Sequence, residues 1–93
     1  MKIRIRHATS LSVKVDDRVY AVLIEGEDDT PNCWVSMEER GKEKEARALS
    51  QKFATLEDAR AAWDDGFTLP DPLDPTAKRV VDELIAQHFA EIV

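Results

Sequence analysis

The sequence predicts an α+β fold: a mostly antiparallel meander of four to five strands, with one or two helices packed on one face of the sheet. Much of 1–53 is strand-rich, with apolar and polar side chains alternating at the two-residue period of β-strands. By contrast, 55–65 and 75–92 carry helix-start signals and apolar residues at helical spacing, and a proline-rich connector, 66–74, separates them. At 93 residues, we expect the chain to fold as a single domain.

Four strands follow from the N-terminal pattern. Residues 2–7 and 11–16 alternate throughout, which is typical of strands with one buried face. Residues 19–24 are apolar at every position, which predicts a strand in the middle of the sheet. A loop rich in acids, with a glycine and a proline, spans 25–31, and the fourth strand is predicted at 33–37.

Residues 38–52 allow two interpretations. Glu43 and Arg47 have the i, i+4 spacing of a helical ion pair, but Gly41 would interrupt such a helix. We favour a charged hairpin turn around Gly41, followed by a fifth strand near 45–53.

The first helix has clear boundaries. The Thr55 hydroxyl can accept a hydrogen bond from the first turn, and the apolar residues Leu56, Ala59 and Trp63 fall on one face. Gly66 suits the position that ends a helix, because glycine adopts backbone conformations closed to other residues.

The second helix is predicted from Pro75 to residue 92. Asp74 is placed to cap it, and proline at the first helical position loses no hydrogen bond. The apolar stripe that should face the core comprises Ala77, Val81, Leu84, Ile85, His88 and Ile92.

Charge is distributed unevenly along the chain. Residues 1–52 contain ten acids and ten bases, whereas 53–93 contain nine acids and three bases and hold the whole net charge of −6. Because the acidic half would repel nucleic acid and attract basic protein surfaces, we expect a protein partner and no direct nucleic-acid binding.

Composition also restricts the compartment. No apolar run is long enough for a membrane-spanning helix, and no signal-peptide pattern follows the basic start, so we expect no membrane binding and a cytoplasmic location. The single cysteine, Cys33, allows no internal disulfide, which agrees with a reducing compartment.

Acidic residues recur as adjacent pairs, and this pattern supplies the candidate partner-binding residues. Asp64 and Asp65 fall in the last turn of the first helix, where the helix dipole disfavours anions, and an uncompensated cost of this kind points to a site. The competing interpretation is a charged surface that only keeps the protein soluble. The candidates are Asp64, Asp65, Asp71, Asp82 and Glu83.

No catalytic, metal-binding or cofactor-binding motif is present, and we predict no catalytic residues, no metal and no cofactor. We interpret His88 and Cys33 as packed side chains. The acidic loop at 25–29 lacks the ligand spacing of a calcium-binding loop.

Basic residues are expected to gather on the outer face of the first hairpin. No aromatic side chain lies among them to stack a base, so we interpret them as charges that protect an edge strand from aggregation. They are Lys2, Arg4, Arg6 and Lys14.

Residues 52–63, Lys-Phe-Ala-Thr-Leu-Glu-Asp-Ala-Arg-Ala-Ala-Trp, resemble a strand-to-helix unit found in many small phage and mobile-element proteins. The size, acidity and lack of an active-site motif also resemble anti-CRISPR proteins, many of which occupy the basic groove of a nucleic-acid-binding machine. The resemblance covers 12 of 93 residues and carries no functional residues with it. It implies a stoichiometric inhibitor.

Three functional hypotheses follow. We favour a non-enzymatic inhibitor whose acidic C-terminal half docks on a basic partner surface, such as that of a nucleic-acid-binding complex. The second hypothesis is a structural or self-associating module. The third is a small enzyme that uses His7, Cys33 or His88 with a carboxylate. The sequence leaves the oligomeric state open.

Overall fold

The computed structural model describes residues 1–7, 10–26, 33–41 and 47–93. These residues form two antiparallel sheets and two helices, which confirms the α+β class. One sheet is a four-stranded meander in the order β2-β3-β4-β5, and the other has three strands in the order β6-β1-β7. The elements are β1 (Lys2–Ile5), β2 (Leu11–Val15), β3 (Arg18–Glu25), β4 (Cys33–Glu39), β5 (Arg47–Phe53), α1 (Leu56–Asp65), β6 (Phe67–Thr68), α2 (Pro75–Ala86) and β7 (Ala90–Ile92).

The meander starts with a tight hairpin, in which Asp16 and Asp17 connect β2 to β3. Asp16 has a φ of 56°, in the left-handed region that aspartate adopts more readily than most residues other than glycine. β3 pairs with β2 on one side and with β4 on the other, so the strand that is apolar on both faces is interior, as predicted. Val13, Val22 and Met37 are buried on the inner face of this sheet.

The hairpin interpretation of 38–52 agrees with the structure. β5 pairs antiparallel with β4, with a register shift between Met37 and Glu38. Gly41 follows β4 with a φ of 87°, a conformation that favours glycine. Residues 42–46, which include Glu43 of the alternative helix, lie outside the described residues.

The first strand pairs differently from our expectation. β1 was expected to form a hairpin with β2, but it pairs with β6 and β7, and this part of the prediction is wrong. Alternation identifies a strand and its buried face, whereas the partner depends on which distant segments cover that face. Here Ile3 lies opposite Phe67 and Ile92, and Ile5 lies opposite Ala90. Because β6 starts at Phe67, the connector also contains a short strand that its prolines did not predict.

α1 starts and ends as predicted. The backbone N–H of Asp58 donates a hydrogen bond to the Thr55 hydroxyl at 3.0 Å, which satisfies one of the unpaired donors of the first turn. The side chain of the buried Trp63 connects the helix to the segment after β1, because its indole N–H donates a hydrogen bond to the backbone carbonyl of His7 at 2.6 Å. Gly66 ends the helix with a φ of 115°.

α2 starts at Pro75 with Asp74 as its cap, but it ends at Ala86 and not at residue 92. The prediction that His88 and Ile92 continue the buried stripe is wrong, since both side chains are exposed. His88 has a φ of 62°, which turns the chain out of the helix. The following residues form β7, whose ladder with β1 supplies the backbone hydrogen bonds that a longer helix would have made.

One hydrophobic cluster connects both sheets and both helices. α1 packs on β1, β4 and β5, while α2 packs on β2, β5 and β7. Trp63, Ile3, Met37 and Leu84 are among the largest fully buried side chains. Neither α1 nor α2 is long and apolar enough to cross a membrane.

Candidate functional site

The solvent-facing side of α1 carries four exposed carboxylates, from Glu57, Asp58, Asp64 and Asp65. We refer to these four residues as the α1 acidic face. Arg60 is the only basic residue of the helix, and no ion pair links the four acids to any described residue. With a rise of 1.5 Å per residue, the two acid pairs lie about 10 Å apart along the helix axis. The arrangement suits contact with two separated cationic groups.

The acid pair at the end of α1 has a compensating charge nearby. The last turn of α1 contains no basic residue. However, a Cβ placed on Gly66 would lie 3.1 Å from Cε of Lys2, so β1 brings an ammonium-bearing side chain next to the helix end. This contact offsets part of the unfavourable interaction of Asp64 and Asp65 with the helix dipole. Sequence reasoning missed it because Lys2 is distant in the chain.

The acids of α2 are engaged within the protein. Asp82 forms an i, i+4 ion pair with Lys78 at 2.8 Å, and the side chain of Gln87 donates to the carboxylate of Glu83 at 2.6 Å. Asp82 is exposed and Glu83 is half-buried. The α2 acids therefore present less uncompensated charge than the α1 acidic face.

The fifth predicted residue, Asp71, lies exposed in the connector between β6 and α2. The five candidates are thus divided among α1, the connector and α2, and the helices that carry four of them pack on the sheets. The structure places Asp64 and Asp65 together with two further acids, Glu57 and Asp58, that the predicted set omitted. The sequence could have indicated Glu57 and Asp58, because they fall on the same predicted helix as Asp64 and Asp65.

A polar cleft of about 360 Å³ opens where the β2–β3 turn meets the N-terminal half of α2. The exposed side chains of Asp16 and Arg79 form an ion pair across it. Arg18 Nε lies 3.6 Å from Glu39 Oε1. A hydrogen bond with Tyr20 and the negative charge of Glu39 raise the pKa of Arg18 above its ordinary value. The lining residues are Val15, Asp16, Asp17, Arg18, Tyr20, Thr76 and Arg79.

The chemistry of this cleft is limited by its side chains. Its lining contains no histidine, cysteine or serine, and three of its four charged residues are paired, Asp16 with Arg79 and Arg18 with Glu39. Exposed ion pairs of this kind add little to stability, so the Asp16–Arg79 pair holds the hairpin turn against α2 only weakly. Sequence reasoning did not find the cleft, because the residues that line it come from two distant segments.

The residues of the enzyme hypothesis lie in different environments. Cys33 is fully buried in β4. His7 is exposed, with its ring edge-on to Phe89 at a centroid distance of 6.1 Å, and His88 is exposed after the end of α2. In the described ranges, no group of three histidine, cysteine or acidic residues could hold a metal ion. The predicted acidic loop falls mostly on 27–32, outside the described residues.

The basic residues do not gather on one hairpin, so that prediction is wrong. Lys14 belongs to the four-stranded sheet, whereas Arg4 lies in β1 of the three-stranded sheet and Arg6 follows the end of that strand. Glu91 lies directly opposite Arg4 and forms an ion pair with it. Arg6 Nη1 also approaches Glu91 Oε2, at 3.4 Å. Part of the basic charge of β1 is therefore neutralised within its own sheet.

A polar pair lies inside the four-stranded sheet. Ser36 and Glu38 are both buried, and the Ser36 hydroxyl donates to the Glu38 carboxylate at 3.1 Å. The two residues are neighbours on one face of β4. The alternation of side chains along a strand predicts this shared face, but it does not predict that the face is buried. A buried carboxylate that accepts a hydrogen bond is a feature of packing here, because it is closed to solvent.

No family model, curated protein or solved structure matches this chain. Of the features described, the α1 acidic face combines the most exposed charge with the least internal compensation. It is the candidate functional site.

Proposed function

We propose that the protein is a non-enzymatic inhibitor that docks the α1 acidic face on a basic surface of a partner protein. The observation that carries this proposal is the contrast between the two helices. The acids of α2 are engaged by Lys78 and Gln87, whereas those of α1 have no ion-pair partner in the described part of the chain.

The charge distribution supports a partner that normally binds nucleic acid. The two acid pairs of the α1 acidic face lie about 10 Å apart along the helix axis, so they can contact two separate cationic groups of a groove that binds nucleic acid. The net charge of −6 would steer the protein toward a cationic groove and slow its approach to nucleic acid itself. Under this proposal, the resemblance to anti-CRISPR proteins reflects a shared mode of inhibition. We propose that this inhibition takes place in the cytoplasm.

The candidates outside α1 have a secondary role in this proposal. Asp71, Asp82 and Glu83 add to the long-range attraction, but Asp82 must leave Lys78 before it can pair with a partner cation. Their contribution should therefore appear mainly in the association rate and its salt dependence.

Two matched charge reversals test the proposal. The partner is first captured from host lysate with the tagged protein at low and high salt, and its dissociation constant is then measured by calorimetry. We expect Asp64→Lys/Asp65→Lys to weaken binding on the order of tenfold and to flatten its salt dependence. The control, Asp82→Lys/Glu83→Lys, changes the net charge equally on the other helix and should weaken binding less.

Equal losses of affinity in the two double variants would mean that only net charge matters. Unchanged affinity in a variant that combines all four reversals would refute acidic docking altogether. Inhibition should also saturate at a fixed ratio of the two proteins. Inhibition that grows with time at sub-stoichiometric amounts would instead indicate turnover, and hence an enzyme.

A further inference from the structure

Exposed polar side chains gather on the outer face of the four-stranded sheet, which is the face opposite the core. Ser12 and Lys14 are exposed and alternate along β2 with the buried Leu11 and Val13, so they point outward. Arg40, which follows the end of β4, reaches over the sheet toward them, because its Nη2 lies 3.3 Å from Oγ of Ser12. We refer to Ser12, Lys14 and Arg40 as the outer basic site.

The two bases of the outer basic site have no compensating acid. No carboxylate among the described residues forms an ion pair with Lys14 or Arg40. Glu38 shares their face, but it is buried, and its carboxylate accepts the hydrogen bond of Ser36, which lies farther along β4 from Arg40. Two cations gathered around one hydroxyl repel each other, and a local cost of this kind points to a site for an anion.

The donors of this site suit a phosphate monoester. The guanidinium of Arg40 donates to Oγ of Ser12, so the Ser12 O–H remains to donate to a ligand, beside the ammonium of Lys14. A phosphate monoester carries a charge of about −1.5 to −2 and three strong acceptor oxygens, one for each of these side chains. A carboxylate has only two oxygens, and each phosphodiester of nucleic acid carries a single charge.

The surroundings of the site favour a protein as the carrier of this phosphate. Val19 lies opposite Lys14 in the sheet, its carbonyl accepts a hydrogen bond from the N–H of Arg40, and it is 40% exposed. Its side chain therefore offers an apolar contact next to the two charges. Small-molecule sites are usually concave and enclose their ligand, whereas this site lies on the open face of a sheet. A protein segment gains the contact with Val19 that a free phosphate lacks.

We propose that the outer basic site binds a phosphorylated serine or threonine side chain of a partner protein. Arg40 and Lys14 balance the charge of the phosphate, and Ser12 donates to its third oxygen. An apolar residue next to the phosphorylated one packs on Val19. Clusters of arginine recognise phosphorylated segments through charge-assisted hydrogen bonds of the same kind. Because the net charge of −6 repels anions at long range, the affinity depends on these short contacts.

The outer basic site is separate from the α1 acidic face. α1 packs on the core side of the sheet, whereas the outer basic site lies on the opposite side. The double variant Asp64→Lys/Asp65→Lys should therefore retain phosphopeptide binding, and either proposal can fail while the other holds.

NMR titrations of the full chain test the proposal. The probes are a short synthetic peptide, acetyl-Ala-Val-phosphoserine-Val-Ala amide, its unphosphorylated form, and inorganic phosphate. We expect the phosphopeptide to shift the backbone amide signals of Ser12, Lys14, Val19 and Arg40. Inorganic phosphate should shift the same signals with a dissociation constant several times higher, and the unphosphorylated peptide should shift none of them.

Matched variants separate local contact from net charge. Lys14→Gln and Arg40→Gln should each weaken phosphopeptide binding roughly tenfold, since each removes a charged hydrogen-bond donor. Ser12→Ala should weaken it less, because the hydroxyl is neutral.

Lys52→Gln is the control for Lys14→Gln. Lys52 is also exposed on the outer face, opposite Trp34, and no described acid forms an ion pair with it. Trp34 lies about 20 Å from Arg40 along the strand direction, which is beyond the range of screened charges. Lys52→Gln should therefore bind the phosphopeptide as the wild type does.

The proposal is overturned if the phosphopeptide leaves these amide signals unchanged, or if the unphosphorylated peptide binds equally well. It is also overturned if Lys52→Gln weakens binding as much as Lys14→Gln does, because net charge alone would then explain the attraction. Tighter binding of inorganic phosphate, or of a single-stranded oligonucleotide, than of the phosphopeptide would overturn it as well, and would reassign the site to a free anion or to nucleic acid.

Discussion

At the scale of single residues, Gly66 shows how one position can join distant parts of the chain. It ends α1 with φ and ψ of 115° and 152°, a combination close to the region that is reserved for glycine. A Cβ at this position would lie 2.9 Å from Cγ2 of Val93 and 3.3 Å from the carbonyl oxygen of Ile3. The helix end, β1 and the residue after β7 therefore meet where only a hydrogen atom fits.

We predict that Gly66→Ala lowers the free energy of unfolding by roughly 2–4 kcal/mol, from backbone strain together with steric crowding. Gly41→Ala is the control, because Gly41 also has a positive φ, of 87°, but a Cβ there would meet nothing within 4 Å. Backbone strain alone should lower the free energy of unfolding of Gly41→Ala by about 1–2 kcal/mol. Urea denaturation measures the free energy of unfolding of both variants. Equal decreases would show that the contacts around Gly66 add nothing to the cost of the substitution.

At the scale of elements, α2 depends on tertiary packing more than on its own propensity. Leu84 is fully buried and Ile85, its neighbour, is half-buried at the margin of the core. The apolar stripe predicted for the helix thus faces the sheets of its own chain as far as Ala86.

We predict that Leu84→Ala lowers the free energy of unfolding by about 2–5 kcal/mol, because it removes buried apolar surface and leaves a cavity that the sheets cannot fill. Ile85→Ala should cost clearly less, since its side chain already contacts water. Thermal melts and sedimentation would check both variants. A Leu84→Ala protein that keeps its melting temperature would contradict the packing of α2 described here.

The elements that sequence reasoning predicted well are those set by local signals. β2, β3 and β4 follow from alternation and turn residues, and α1 follows from its Thr55 cap and Gly66 terminus. The partner of β1 and the end of α2 could not be predicted in this way. His88 lies one helical turn beyond Leu84 and fits the stripe, but pairing of the next residues with β1 outweighs helix continuation.

The same distinction applies to the candidate site. The engagement of Asp82 by Lys78 could be inferred from their i, i+4 spacing. By contrast, the approach of Lys2 to Gly66 and the pairing of Asp16 with Arg79 join residues far apart in sequence. Charge counts locate an acidic region, but they do not show which of its charges are compensated.

At the scale of the whole molecule, two kinds of sheet coexist. The four-stranded sheet is assembled from consecutive strands, whereas the three-stranded sheet combines β1 with β6 and β7 from the other end of the chain. The entropy of closing a loop opposes long-range pairing until other contacts have formed. We therefore expect the meander to form first and the three-stranded sheet to close last.

Folding kinetics of two buried residues would test this order. Val22 pairs with Leu11 and Met37 inside the meander, and Ile3 pairs with Phe67 and Ile92 across the chain. Both side chains are fully buried, so Val22→Ala and Ile3→Ala should each destabilise enough for a reliable kinetic comparison. In stopped-flow denaturant series, Val22→Ala should mainly slow folding, and Ile3→Ala should mainly accelerate unfolding. If Ile3→Ala slowed folding as much as Val22→Ala, the two ends of the chain would already be paired in the transition state, and the meander would not be the folding nucleus.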